Sequence, residues 1–155
     1  MIKSVDFAKY LLHRISLNNK DCCMNITKLL KLTYICDGFL LSYDINIIDE
    51  CAKAWDYGPV YPKIHKYFTK HKNEIENPNV SNDLKNSIEA NPFIVYIIDS
   101  VIKGFSSFPA GKLSAWSHIP GSPWDKAIQK DGKYSIIQKA DMANYFKGDV
   151  IAGRC

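Results

Sequence analysis

Two segments, KLLKLTYICDG at residues 28–38 and AWDYGPVY at residues 54–61, decide how this chain folds. In the first segment the apolar residues recur at helical spacing, and Lys28 and Lys31 lie off the apolar side. This pattern predicts an amphipathic helix. We expect the helix to open at Asn25 or Thr27 and to run to about residue 42.

The second segment prescribes a backbone shape, because two aromatic residues precede a Gly-Pro pair. Residues 50–55 alternate weakly and predict a short β element. Proline suits the first helical position, so Pro59 predicts the start of a further helix that ends near Lys70. Its lysines Lys63, Lys66 and Lys70 should form a solvated face, and the alternative is a basic patch for an acidic partner protein or nucleic acid.

The rest of the chain also has mainly helical patterning. Ser4 is expected to cap a first helix that ends at residues 18–21, and residues 72–82 form a polar loop. Residues 83–89 fit either a short helix or a strand. The remaining predicted helices are an apolar helix at 93–105 started by Asn91-Pro92, a short one at 110–117, a turn at Trp124, and a last helix at 137–146 stopped by Gly148.

The fold class predicted from these elements is mainly α, or α+β at most. We expect a compact single-domain helical bundle over residues 1–155, with its small β element near residues 50–55.

Composition narrows the classes of function. Of the 155 residues, 46% are hydrophobic and 23% are charged, which is typical of a globular protein. The sequence contains neither a long apolar run nor the apolar core of a signal peptide, so we expect a cytoplasmic protein without a membrane span. Five cysteines without a C-x-x-C pair argue against a metal site or a disulfide framework, and Cys36 and Cys51 are expected to be small buried residues.

The motifs extend beyond the two opening segments. A third block reads LSAWSH at residues 113–118 and is followed by SPW at residues 122–124. Together the blocks resemble the Panacea-domain antitoxin family, which includes SocA-like and phage-associated GepA-type proteins. The resemblance runs from about residue 24 to 147, with a closing block at Ile136, Met142, Tyr145 and Phe146. Cys36 and Ser117 stand where the family usually has alanine and threonine.

The resemblance implies a helical antitoxin that acts without a cofactor by binding a cognate toxin protein. It also implies, as a narrower expectation, delivery of the toxin to a ClpXP-type protease. The family-motif residues are then either scaffold or partner-binding residues: Lys28, Lys31, Tyr34, Trp55, Tyr57, Gly58, Pro59, His118 and Trp124.

Two other classes of function are alternatives for this sequence. A nucleic-acid-binding regulator is disfavoured because the net charge is only +4 and the lysines are scattered among acidic residues. A small enzyme would have to use His118, with Asp125 or Ser117 as its hydrogen-bond partner, but no second member of a catalytic triad is evident. A histidine in such a turn more often braces two segments, so no catalytic residue is assigned.

The aromatic residues of the motifs suit either a core or an interface, because tryptophan and tyrosine bury a large area and keep a polar tip. Trp55 is predicted to be core and Trp124 to wedge between helices. For Tyr57 both roles, bracing the turn and binding a partner, remain open.

Overall fold

The computed structural model describes residues 1–18 and 23–150. Within them the chain forms nine α-helices and one two-stranded sheet, which confirms the prediction of a mainly α fold. The elements are α1 (Ser4–Asn18), α2 (Ile26–Ser42), β1 (Lys53–Trp55), β2 (Gly58–Val60), α3 (Pro62–Lys70), α4 (Asn73–Glu76), α5 (Asn82–Glu89), α6 (Pro92–Phe105), α7 (Ala110–Ser117), α8 (Pro123–Asp131), α9 (Lys139–Tyr145) and a π-helical turn (Phe146–Val150).

Helix α2 is the central element, and α1, α3, α6, α7 and α9 pack around it. It begins as the sequence indicates, because the Asn25 side chain accepts a hydrogen bond of 2.8 Å from the Lys28 N–H. The prediction of an amphipathic helix is wrong, since every residue from Lys28 to Ser42 is buried. A helix surrounded by neighbours has no solvent side on which Lys28 and Lys31 could lie.

The β element exists, but Pro59 belongs to its second strand and not to a helix. Strands β1 and β2 pair antiparallel, with Ala54 opposite Pro59. The helix predicted from Pro59 begins three residues later, where Pro62 takes the first position of α3. Pro59 lacks an N–H and tolerates this strand because no ladder bond has to be donated there.

The other edge of β1 is also paired. The Ala54 N–H donates to the Ser135 carbonyl at 2.9 Å, and the Tyr134 N–H donates to the Ala54 carbonyl at 2.7 Å. Lys53 forms an antiparallel bridge with Ile136. The hairpin is therefore flanked by residues 134–137, which come from the C-terminal part of the chain.

Ser4 does not cap α1, because it is already the first residue of the helix. Its N–H donates to Asp49 Oδ1 at 2.9 Å, and its hydroxyl donates to Glu50 Oε1 at 2.7 Å. The bridge between Ile2 and Ile48 holds the two segments together. The start of α1 is thus satisfied by side chains some 45 residues away, at residues 49 and 50.

The polar segment 72–82 is more ordered than its composition indicates. It contains the short helix α4, whose Ile75 is buried, and it leads into α5. The Ser81 side chain caps α5 by accepting from the Leu84 N–H at 3.1 Å. For residues 83–89 the structure decides the open alternative in favour of a helix.

The later helices agree better with their sequence signals. Asn91 caps α6 by accepting from the Phe93 N–H, as its Asn-Pro pair indicates, and α7 occupies the predicted residues. The last helix is shorter than predicted, because the Ile137 N–H pairs with the Ala52 carbonyl and so belongs to the sheet edge. Gly148 does not stop the chain's helical path but lies inside the π-helical turn.

The cysteines and the membrane criterion complete the description. Cys36 is fully buried and Cys51 is half-buried, whereas Cys22, Cys155 and the predicted helix end at 19–21 lie outside the described residues. Among residues 1–18 and 23–150, no group of His, Cys, Asp and Glu side chains is arranged to hold a metal ion.

In the same residues no single helix is long and apolar enough to cross a membrane, although α6 and α7, bent by 111°, meet the length and composition criterion as a pair.

Candidate functional site

All three motif blocks meet at the β1–β2 hairpin. Its two-residue loop, Asp56 and Tyr57, leads into Gly58, whose φ of +117° is a conformation that side chains with a Cβ rarely adopt. A Cβ at Gly58 would lie 2.5 Å from Ser117 Oγ and 3.1 Å from Lys31 Cε. Glycine is therefore required here both by the backbone and by two neighbours from the other motif blocks.

The first block contributes Lys31, which reaches the hairpin from α2. Its ammonium donates a hydrogen bond of 2.9 Å to the Pro59 carbonyl, and the residue is only 2% exposed. Burial lowers the pKa of Lys31 to about 8. Lys28 is also buried, so the first block packs with both lysines inside the fold.

The third block holds the hairpin from the opposite side. The Ser114 hydroxyl donates to the Tyr57 carbonyl, and the Trp124 indole N–H donates to the Trp55 carbonyl at 2.7 Å. These bonds fix the backbone on both sides of the turn. Trp124 is half-buried and contacts the hairpin through this bond; the wedge between helices predicted for it stays a prediction.

His118 forms neither of the hydrogen bonds considered for it. Asp125 Oδ2 accepts from the Gly121 N–H, and the Ser117 hydroxyl donates to the Ser114 carbonyl. The His118 ring instead packs beside Trp124 with 5.2 Å between ring centroids. Among the described residues, His118 Nδ1 is buried without a hydrogen-bond partner.

Tyr34 lies away from the hairpin, in the aromatic core. Its ring packs edge-on against Phe146 with 5.7 Å between centroids, and burial raises the pKa of its hydroxyl. Within the described part of the chain this hydroxyl has no hydrogen-bond partner. The structure thus gives Tyr34 a packing position and does not bring it to the other motif residues.

The fold also buries a hydrogen-bonded pair of an aspartate and a tyrosine that the sequence patterns did not single out. The Tyr61 hydroxyl donates to Asp37 Oδ2 at 2.6 Å, and both residues are completely buried. Burial raises the pKa of Asp37 to about 6, opposed by the hydrogen bond from Tyr61 and the charge of Lys139. The only sequence signal was an aspartate within an apolar helix.

A cleft opens beside the hairpin, with a volume of about 270 Å³. Tyr57 and Tyr134 stand at its rim and are 78% and 57% exposed. Trp55 is half-buried rather than core, and its ring lies 5.1 Å from that of His65 and 6.1 Å from that of Tyr134. The residues that line the cleft are Thr27, Leu30, Lys31, Trp55, Asp56, Tyr57, Val60, His65 and Tyr134.

Of these lining residues, His65 and Tyr134 were missed by sequence reasoning. Tyr134 has a φ of +66° and lies about 80 residues from the hairpin loop, so only the strand pairing brings it there. A signal for His65 was available, since it directly follows the buried Ile64 on α3 and is half-buried.

Comparison with known protein families finds a match over more than half of the chain. The family described as "Antitoxin SocA-like, Panacea domain" matches residues 29–125, which include the three motif blocks except Lys28 and exclude the closing block at residues 136–146. No curated protein and no solved structure matches the chain.

Proposed function

Because the chain belongs to the SocA-like, Panacea-domain antitoxin family, we propose that it is a cytoplasmic antitoxin that neutralises a cognate toxin protein by direct binding. Membership of this family favours a non-enzymatic role. The proposal requires a surface that can hold a second protein, and it assigns that role to the aromatic rim of the hairpin cleft.

The observation that carries the assignment is the exposure of Tyr57 at the tip of a rigidly held turn. Its carbonyl is fixed by Ser114, while 78% of the residue is exposed. Tyrosine at the centre of an interface commonly supplies a large share of the binding energy, and a fixed backbone loses little entropy on binding. The motif residues below it then serve as scaffold, and the rim serves as the contact surface.

The test is co-expression with the reading frame adjacent to this gene, scored by colony survival and by pull-down. We expect the neighbour to kill cells and the wild-type protein to rescue them as a co-purifying complex. Tyr57→Ala should weaken the complex at least tenfold without changing the stability of the fold. Tyr96→Ala is the matched control, because Tyr96 is 62% exposed but lies on α6, lining clefts other than the one beside the hairpin.

The outcomes separate the parts of the proposal. A harmless neighbour, or rescue without a complex, would contradict direct neutralisation. If Tyr96→Ala abolishes rescue and Tyr57→Ala does not, the protein is still an antitoxin but its binding surface lies on α6.

Delivery of the toxin to a ClpXP-type protease is a narrower form of the same proposal, and it rests on family resemblance. It predicts that the half-life of the toxin in cells shortens when this protein is present and recovers when the protease is removed. An unchanged half-life together with rescue would favour occlusion of the toxin.

A further inference from the structure

The base of the hairpin cleft carries a charge that the fold leaves largely uncompensated. An ammonium has three N–H donors, and among the described residues Lys31 Nζ has one acceptor, the Pro59 carbonyl. Within the same part of the chain no carboxylate forms an ion pair with it. A buried charge is costly unless it is paired, so this lysine is poised to gain a counter-charge.

The cleft supplies the access that such a counter-charge needs. Lys31 is one of the residues that line it, and Thr27, Tyr57 and Tyr134 in the same lining are exposed. The acidic residue of the lining, Asp56, is engaged elsewhere, because its Oδ1 lies 3.1 Å from Lys133 Nζ. The lysine of the lining is therefore surrounded mostly by aromatic and aliphatic side chains.

Resting on the proposed function, we infer that the cleft binds a side-chain carboxylate of the toxin, a glutamate or aspartate with apolar neighbours, and pairs it with Lys31. One lysine balances the single charge of a carboxylate, whereas it would leave part of the charge of a phosphate group unbalanced. The apolar lining comes from α2, from the hairpin and from Tyr134. A side-chain carboxylate with apolar residues on both sides of it in the chain therefore contacts more of this lining than a carboxylate at a chain end.

Thr27 gives a sharp way to test this inference. It is exposed in the first turn of α2 and lies four residues before Lys31, so the two side chains share one face of the helix. In Thr27→Glu the new carboxylate would lie near the positive end of the helix and could pair with Lys31. The variant should be at least as stable as wild type and should occupy the cleft with its own carboxylate. Thr27→Gln is the matched uncharged control.

The probes are three short peptides, titrated into the whole protein and followed by backbone-amide NMR. The first is N-acetyl-Phe-Glu-Leu-amide, the second has glutamine in place of glutamate, and the third has that glutamine and a free C-terminal carboxylate. We expect the first to shift the amides around Lys31 and Tyr134 and to bind about tenfold more tightly than the second, a difference of about 1.4 kcal/mol. Thr27→Glu should remove this preference and Thr27→Gln should retain it.

Several results would overturn the inference. These are equal affinity for the first two peptides, tighter binding of the third, shifts confined to another face, and absence of binding. Lys31→Met gives a second check, because it removes the charge and keeps an apolar stem, and it should bind the first two peptides equally. If Thr27→Glu rescues cells from the toxin as well as the wild type does, the carboxylate contact is rejected and the proposed function stands. If the wild-type protein itself fails to rescue cells, the proposed function is rejected.

Discussion

Gly38 does not have a positive φ, yet it is among the most constrained positions of α2. A Cβ there would lie 2.3 Å from two ring carbons of Phe146. That ring is completely buried and packs edge-on against Phe39, with 5.0 Å between centroids, and against Trp116, with 6.0 Å. The missing side chain is therefore the space into which the C-terminal turn inserts its aromatic ring.

Overpacking usually costs about 1–3 kcal/mol, and the higher helix propensity of alanine offsets about 1 kcal/mol of that cost. The prediction for this residue is therefore that Gly38→Ala lowers the free energy of unfolding by up to about 2 kcal/mol. Gly104→Ala in α6 is the control, since nothing lies within 4 Å of the place that a Cβ would take there, and it should be neutral or stabilising. Urea titrations that gave both variants equal stability would contradict this account.

Asp37 provides a second prediction at this scale, in the pH dependence of stability. Its pKa is raised from 3.8 to about 6, so between these values the folded protein binds more protons than the unfolded chain and stability falls as pH rises. Asp37→Asn removes the charge and keeps an acceptor for the Tyr61 hydroxyl. The variant should gain stability over wild type between pH 4 and 6, by up to about 3 kcal/mol.

Urea denaturation at a series of pH values checks this, with the difference between the two proteins as the readout. Tyr34, Cys36, Tyr61 and Lys139 also interact electrostatically with Asp37. Burial raises the pKa of Tyr34, of Cys36 and of Tyr61, so these three groups stay neutral in this range. A difference that stayed constant from pH 4 to 7 would show that Asp37 does not ionise abnormally.

At the scale of elements, the hairpin is short and depends on its neighbours. Three residues per strand cannot stabilise a hairpin alone. Lys31 from α2, Ser114 from α7 and Trp124 from α8 each donate to one of its carbonyls. The shape of the turn is therefore a property of the surrounding helices as much as of the AWDYGPV sequence.

This arrangement predicts that Gly58→Ala is more destabilising than Gly121→Ala. Both glycines have positive φ, +117° and +85°, but only Gly58 would bring a Cβ against Ser117 and Lys31. The backbone strain should cost each variant about 1–2 kcal/mol, and Gly58→Ala should lose a further 1–3 kcal/mol, by the typical cost of overpacking. Thermal or urea unfolding of the pair isolates the contact, and equal losses would mean that Ser117 and Lys31 move aside freely.

At the scale of the whole molecule, a distant hydrogen bond joins the hairpin to α8. Trp124→Phe keeps a ring and removes the indole N–H that reaches the Trp55 carbonyl, 69 residues away in sequence. We expect a loss of about 1–2 kcal/mol in stability and a weaker complex with the toxin. Trp116→Phe is the comparison, because that ring packs against Phe105 and Phe146 away from the hairpin, and it should leave toxin binding unchanged.

Local signals predicted what local contacts determine. Asn25 and Asn91 cap their helices by accepting hydrogen bonds from residues only two or three positions further along the chain. Both helices start where the sequence indicates. The family resemblance is likewise confirmed over residues 29–125. The single-domain boundary and the roles of the motif residues stay predictions.

The positions that escaped sequence reasoning depend on residues far along the chain. Lys31 is buried because Pro59 offers its ammonium an acceptor, and Pro59 is in a strand because β1 lies opposite. Tyr134 reaches the cleft through pairing with Ala54. A helical pattern contains no information on these pairings, so it predicts the lysines off the buried face and Pro59 in a helix.

The dependence of the hairpin on Trp124 and on residues 134–137 has a consequence during synthesis of the chain. Translation proceeds from the N-terminus, so a ribosome completes α2 and both strands long before the residues that clamp them emerge. Until then the nascent chain has the motif of the hairpin but no fixed turn to present. Under the proposed function, a fragment released before residue 134, by premature termination or by proteolytic cutting, would be unable to neutralise a toxin.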